Sequence, residues 1–251
     1  RAIAAQLAAA VEAPLDVAEA AVRAALLAKC DLTTGMVGEF PELQGRMGGL
    51  YAAAQGEPAA VAEAIYSHYQ PVGASDAIPA SPAGRLVALA DKLDTLGGMF
   101  GLDNIPTGSK DPFALRRAAA GVVRIVIESG MPASLTQLAE IAGAGANTAA
   151  LRAFFVERLR FALGEQGAQY DEIAAVLAAG DDRPADASAR ARALAEVRPT
   201  AGFEPLAASF KRIRNILEKA GGAAAFAGRA VDESLLEAGA ERDLYMAFQA
   251  V

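Results

Sequence analysis

Apolar residues recur along most of this chain every three or four positions, the period that places them on one side of an α-helix. Leu7, Val11 and Leu15, then Val17, Ala21 and Leu26, predict two helices near the start, with Pro14 ending the first. Met36, Phe40, Leu43, Met47 and Leu50 carry the same period through residues 32–51. Pro41 lies inside that stretch and should kink or split it, because proline removes a hydrogen bond and crowds the preceding turn. Glu57-Pro58 opens a helix with Val61, Ile65 and His68, which stops before Pro71. A loop follows until Ser81-Pro82, an N-cap and first-turn pair. The helix it starts has Leu86, Leu89, Leu93 and Leu96 on one stripe, and Gly97-Gly98 should weaken its end. Residues 101–110 read as an irregular loop. Asp111-Pro112 should start a helix over Phe113–Glu128, whose second half is apolar nearly all round and should be buried.

Glycines at 130, 143 and 145 break the pattern, so a linker is expected over residues 131–150. Beyond it, Arg152–Leu163 reads as a basic amphipathic helix and Tyr170–Ala179 as another short one. The polar stretch 180–189 reads as a loop. Residues 206–219 form a strongly amphipathic segment with Leu206, Phe210, Ile213 and Leu217 as its expected buried stripe, and a last helix should run from Asp232 to the end. Runs of β-branched residues are short, so the predicted class is all-α, with domains over 1–130 and 151–251. Composition agrees: 53% of the residues are apolar, mostly Ala and Leu, the strongest helix formers.

The formal charge of −7 argues against a protein that coats nucleic acid by bulk attraction, and DNA is not expected as a partner. Local Lys/Arg clusters can still hold phosphates. Cys30 is the only cysteine, which excludes an intramolecular disulfide and fits a cytoplasmic location. No apolar run approaches the ~20 residues needed to cross a bilayer. The chain starts at Arg1 and not at Met, as expected of a fragment or a processed product.

His68 is the only histidine, so any triad-type site would have to be built on it; a helix-terminal residue before the Tyr69-Gln70-Pro71 turn is the plainer reading. Asp91 and Asp94, three apart on one helix, share a face and could hold a divalent metal, although Lys92 and a solvated face account for them. Glu39 and Glu42 flank Pro41 and suit a solvent-facing bend. Gly108-Ser109-Lys110 lacks the order of a phosphate-binding loop, so no ATP chemistry is expected on this chain. Cationic faces remain. Lys211, Arg212, Arg214 and Asn215 fall away from the apolar stripe of their helix, where cations fix phosphates and Asn can reach a base edge. Arg152, Arg158 and Arg160 form a second patch.

Residues 28–51, AKCDLTTGMVGEFPELQGRMGGLY, and 87–124, VALADKLDTLGGMFGLDNIPTGSKDPFALRRAAAGVVR, resemble signature segments of the bacterial glycyl-tRNA synthetase β subunit. AIYSHYQP between them, and FVERLRFALGEQGAQYDEIAAVLA and FEPLAASFKRIRNILEKA beyond, are similar to the same family, so the resemblance covers nearly the whole chain. It implies an α₂β₂ ligase whose α subunit uses ATP and Mg to make glycyl-adenylate, with no cofactor on this chain. Its implied partners are tRNA(Gly), the α subunit and an N-terminal part of a longer β chain. It also implies an HD-like helical domain, followed by an anticodon-binding-like bundle. Asp91 would stand where HD-type phosphohydrolases have their last Asp, but their His-Asp pair is missing. A fold kept for binding is therefore expected rather than a metal-dependent hydrolase. On this basis Arg152, Lys211, Arg212 and Arg214 should contact tRNA phosphates and Asn215 a base. Arg116 and Arg117 should either bind tRNA or clamp the 105–110 loop. The alternative role is packing on other subunits, with the Ala-rich helices of residues 1–27 as the surface.

Overall fold

The computed structural model describes residues 1–108, 110–226, 228 and 231–249. They are helical, and no strand forms among them. Two compact units divide the chain, Arg1–Glu196 and Val197 onward.

The first unit is built round α6 (Pro82–Gly101), whose Leu86, Leu89, Leu93, Leu96 and Phe100 are fully buried. Ser81 caps it by accepting from the Gly84 N–H at 3.0 Å. Against α6 pack α1 (Ala2–Ala10), α2 (Leu15–Leu27), α5 (Ala59–Ser67) and α7 (Leu115–Ser129). The Ala-rich first helices thus turn Ala4, Leu7, Ala21 and Ala24 into the core, while Leu15 and Leu26 face outward. The expected weakening at Gly97-Gly98 does not occur. A Cβ at Gly97 would lie 1.7 Å from the Ala142 carbonyl oxygen, so this glycine is where α6 meets the end of α8 (Leu135–Ala142).

Residues 32–51 split at Pro41 into α3 (Gly35–Glu39), a 3₁₀ turn (Pro41–Leu43) and α4 (Arg46–Ala54). Gly48, Gly49 and Ala52 form the buried face of α4. A Cβ at Gly49 would stand 2.7 Å from the Ala62 carbonyl of α5, so small residues let these helices touch. Met36, Phe40 and Leu50 point outward as a result.

Helix α7 begins two residues later than expected. Ala114 takes a left-handed conformation (φ 53°), and Asp111 caps the helix from outside by accepting from the Leu115 and Arg116 N–H groups at 2.8 and 3.0 Å. Its Val122, Val123, Ile125 and Val126 are buried.

The linker expected over 131–150 lies inside the first unit. Ser134 and Gln137 close a capping box on α8, which buries Leu135, Leu138, Ala139 and Ala142; Gly130 and Gly143 are the left-handed C-caps of α7 and α8. Next come α9 (Thr148–Glu165), with buried Leu151, Phe154, Phe155, Leu159 and Leu163, and α10 (Tyr170–Ala179). The loop expected over 180–189 is largely helix, because α11 (Pro184–Val197) starts at a proline suited to a first turn and buries Ala187 and Ala191.

The second unit holds α12 (Phe203–Lys219) and α13 (Ala240–Gln249). Neither helix has a buried residue. The stripe expected to be covered is open: Leu206, Phe210 and Ile213 are 54%, 64% and 50% exposed. Of the helix expected from Asp232, the first part is a short 3₁₀ turn (Glu233–Leu235), and residues 250 and 251 lie outside the described residues, as does Ser109.

Candidate functional site

The segments 28–51 and 87–124 meet in the first unit at one cluster of charges. Asp31, 1% exposed, accepts from the Gly45 and Gly48 N–H groups at 2.6 and 3.1 Å and so fixes the start of α4. His68, fully buried at the end of α5, donates from Nδ1 to the Ile65 carbonyl at 2.6 Å. That leaves Nε2 as an acceptor, and the Lys29 ammonium donates to it at 2.9 Å. The same ammonium pairs with Asp91 at 2.7 Å and sits 3.7 Å over the Tyr69 ring. Burial, then the neighbouring Lys29 charge, push His68 down to about 4, so at neutral pH it is an uncharged acceptor.

Lys92 is the second internal cation. Its Nζ donates to the Tyr69 and Gln70 carbonyls at 3.2 and 2.9 Å, tying down the turn before the cis Gln70–Pro71 bond. Burial lowers it to about 8. Gly121 makes its room: a Cβ there would come within 2.8 Å of the Lys92 Cε.

Above this floor opens a cleft of about 500 Å³. Arg46 of α4, Tyr66 of α5, Phe113 just before α7 and Arg117 in its first turn line it, with Asp91 and Lys92 at its base. A smaller cavity of about 380 Å³ shares Arg117, but there Arg124 is committed to the Gly73, Ala74 and Asp76 carbonyls.

The residues singled out in the sequence divide accordingly. Arg116 donates to the Gly108 carbonyl at 2.7 Å, clamping the loop, whereas Arg117 reaches the cleft. Arg152 is engaged with Asp181 at 2.6 Å, Asp182 at 3.6 Å and the Thr136 hydroxyl, which ties α9 to the 181–182 turn and occupies the guanidinium expected for phosphate. On α12, Lys211, Arg212 and Asn215 are exposed and without partners, while Arg214 pairs with Glu218 at 3.4 Å. These two groups of cations belong to different units. Asp94 is exposed and does not join Asp91 and His68, whose inward atoms are both taken by Lys29. Among the described residues no set of three or more His, Cys, Asp or Glu side chains could hold a metal ion. No helix among them is long and apolar enough to cross a membrane.

Sequence reasoning passed over Lys29, Arg46, Tyr66 and Phe113. The one signal was position: Lys29 and Arg46 lie in the first signature segment and Phe113 in the second.

The family model for the glycyl-tRNA synthetase beta subunit matches residues 1–178. A glycine–tRNA ligase beta subunit from Magnetococcus marinus is 45% identical over 98% of this chain and 37% of its own length. Those from Paracidovorax citrulli and Acidobacterium capsulatum are both 48% identical, over 94% and 98% of this chain and 34% and 37% of their own lengths. The chain thus spans about a third of the curated relatives it matches. With a match over most of its length, including both segments that build the cleft, this chain belongs to the glycyl-tRNA synthetase beta subunit family.

Proposed function

We propose that this chain is the tRNA-reading part of a cytoplasmic glycine–tRNA ligase, positioning tRNA(Gly) for ATP- and Mg-dependent glycylation on the α subunit of an α₂β₂ assembly. The chain itself carries no cofactor. The observation behind this reading is the exposed, unpartnered face of Lys211, Arg212 and Asn215 in a member of this family. The first 130 residues are read as HD-like and the C-terminal helices as anticodon-binding-like. An HD-type metal does not fit the residues present, because the Lys29 ammonium already bridges His68 and Asp91.

In the assembled enzyme, a Lys211→Ala/Arg212→Ala variant should bind tRNA(Gly) about tenfold more weakly, with a shallower salt dependence. The isolated α subunit's glycyl-adenylate formation sets the reference for intact chemistry. Unchanged affinity and salt slope would remove this face from the reading.

A second reading, subunit packing, is favoured by the open apolar residues of the second unit, Leu206, Phe210, Ile213, Leu244, Met246 and Phe248. Under it, a charge placed at this face by Phe210→Asp would break the assembly, whereas Lys211→Ala/Arg212→Ala would leave the tRNA affinity of the assembled enzyme untouched.

A further inference from the structure

We infer that the cleft of the first unit takes one unpaired, phosphorylated nucleotide of a bound RNA, with the phosphate on Arg46 and Arg117 and the base against Tyr66 and Phe113. The inference rests on the tRNA reading above and assigns it a second point of contact, in the first unit, where the α12 face belongs to the second.

Three observations carry it. Most guanidinium groups of residues 1–130 are committed within the fold: Arg23 to Glu57, Arg85 to the Pro79 and Ala80 carbonyls, Arg116 to Gly108, and Arg124 to the 73–76 loop. Arg46 and Arg117 are exposed in the cleft, with no hydrogen bond or ion pair among the described residues. Free guanidinium groups bind phosphate oxygens in a bidentate fork. Second, the cleft presents two large aromatic side chains to solvent, Tyr66 at 43% and Phe113 at 49% exposure. Exposed aromatics beside free cations are how proteins hold unstacked bases, since every base offers a π-face. Third, the floor is set in advance. Lys92 fixes the Tyr69–Gln70 carbonyls, Asp31 fixes Gly45 and Gly48, and Lys29 neutralises Asp91. Asp76 is turned to the Val72 N–H, which leaves Glu42 as the one lining carboxylate without a partner among the described residues.

The shape favours a nucleotide over a duplex. At about 500 Å³ the cleft lies within the roughly 300–1,000 Å³ typical of sites that enclose a small molecule. A duplex keeps its bases stacked inside and offers only its phosphates, so the aromatic pair would have nothing to meet.

The test uses the assembled α₂β₂ enzyme with its complete β chain and, as probes, tRNA(Gly), a non-cognate tRNA, free adenosine 5′-monophosphate, and a blunt-ended RNA hairpin that carries the acceptor-stem base pairs, is closed by a non-nucleotide linker and has no unpaired nucleotide. A Tyr66→Ala/Phe113→Ala variant should lose about tenfold in affinity for tRNA(Gly), as expected for one stacked base, and nothing for the hairpin. Arg46→Gln/Arg117→Gln should do the same, and unchanged near-ultraviolet circular dichroism certifies both folds. Wild-type affinity of both variants for tRNA(Gly) overturns the inference and leaves the tRNA reading standing. Equal losses on tRNA and hairpin also overturn it, in favour of duplex phosphate attraction. If wild-type enzyme fails to prefer tRNA(Gly) over a non-cognate tRNA, the tRNA reading falls and this inference with it. Binding of free adenosine 5′-monophosphate that both variants lose while keeping wild-type affinity for tRNA(Gly) would assign the cleft to a free nucleotide and likewise overturn it.

Discussion

Helices α7 and α12 are similarly amphipathic in sequence, yet they end in opposite conditions. In α7 the apolar face disappears into a core shared with α6 and α9. In α12 the apolar stripe stays open, and no residue of the helix is buried. The difference lies in neighbours. An amphipathic pattern specifies which face seeks cover, but only packed partner helices supply it. Polar groups show the same division. The first unit commits Arg116, Arg124 and Arg152 to carbonyls and carboxylates, whereas Lys211, Arg212 and Asn215 of the second remain free. Cations in the first unit therefore have to be read one by one, since most serve the fold.

The sharpest way to break this contrast is truncation in each region. Leu93→Ala empties a fully buried position on α6 and should lower unfolding free energy by about 4 kcal/mol in urea titration. A loss under ~1 kcal/mol would mean that α6 does not organise the first unit.

The pH response of the first unit should be nearly as large. His68 stays neutral in the folded chain down to about pH 4, whereas an unfolded histidine takes up its proton near 6.5. Between those values the unfolded chain binds more protons, so stability falls as pH drops through the window, by about 3 kcal/mol in total. His68→Gln should flatten that part of the curve; an unchanged slope would place the response on other groups. The second unit contains no histidine, and its helical signal should not follow this step.

The smallest effect is expected from Phe210→Ala, at an exposed position, with a stability change within about 0.5 kcal/mol by the same urea titration. A loss comparable to that of Leu93→Ala would show the α12 stripe to be covered after all.

Much of the first unit was legible in the chain. Proline and serine marked the start of α6, Pro41 split its segment, and the leucine stripe of α6 is its core face. The site was less so. Arg116 and Arg117 are adjacent and chemically alike, and only the place of the Gly108 carbonyl makes one a clamp and leaves the other free. The ion pairs of Arg152 were not legible because its partners, Asp181 and Asp182, lie some thirty positions away, in a stretch whose pattern predicts a loop. Helix α8 was hidden in the 131–150 segment because glycine marks helix caps as well as domain junctions.

By itself, then, the sequence determined the helical class, most helix positions and, through its long signature segments, the family. These depend on local spacing, turn residues and extended identity, all of which are readable in one dimension. Only the tertiary structure decided which helices share a core, where Gly97 and Gly49 let backbones touch, and which cations are spent. It also brought Lys29 onto His68 and Asp91, 39 and 62 positions apart, and set Arg46 and Arg117 in one cleft. Such pairings come from long-range packing, where the energy of a contact depends on burial and geometry that no local pattern encodes.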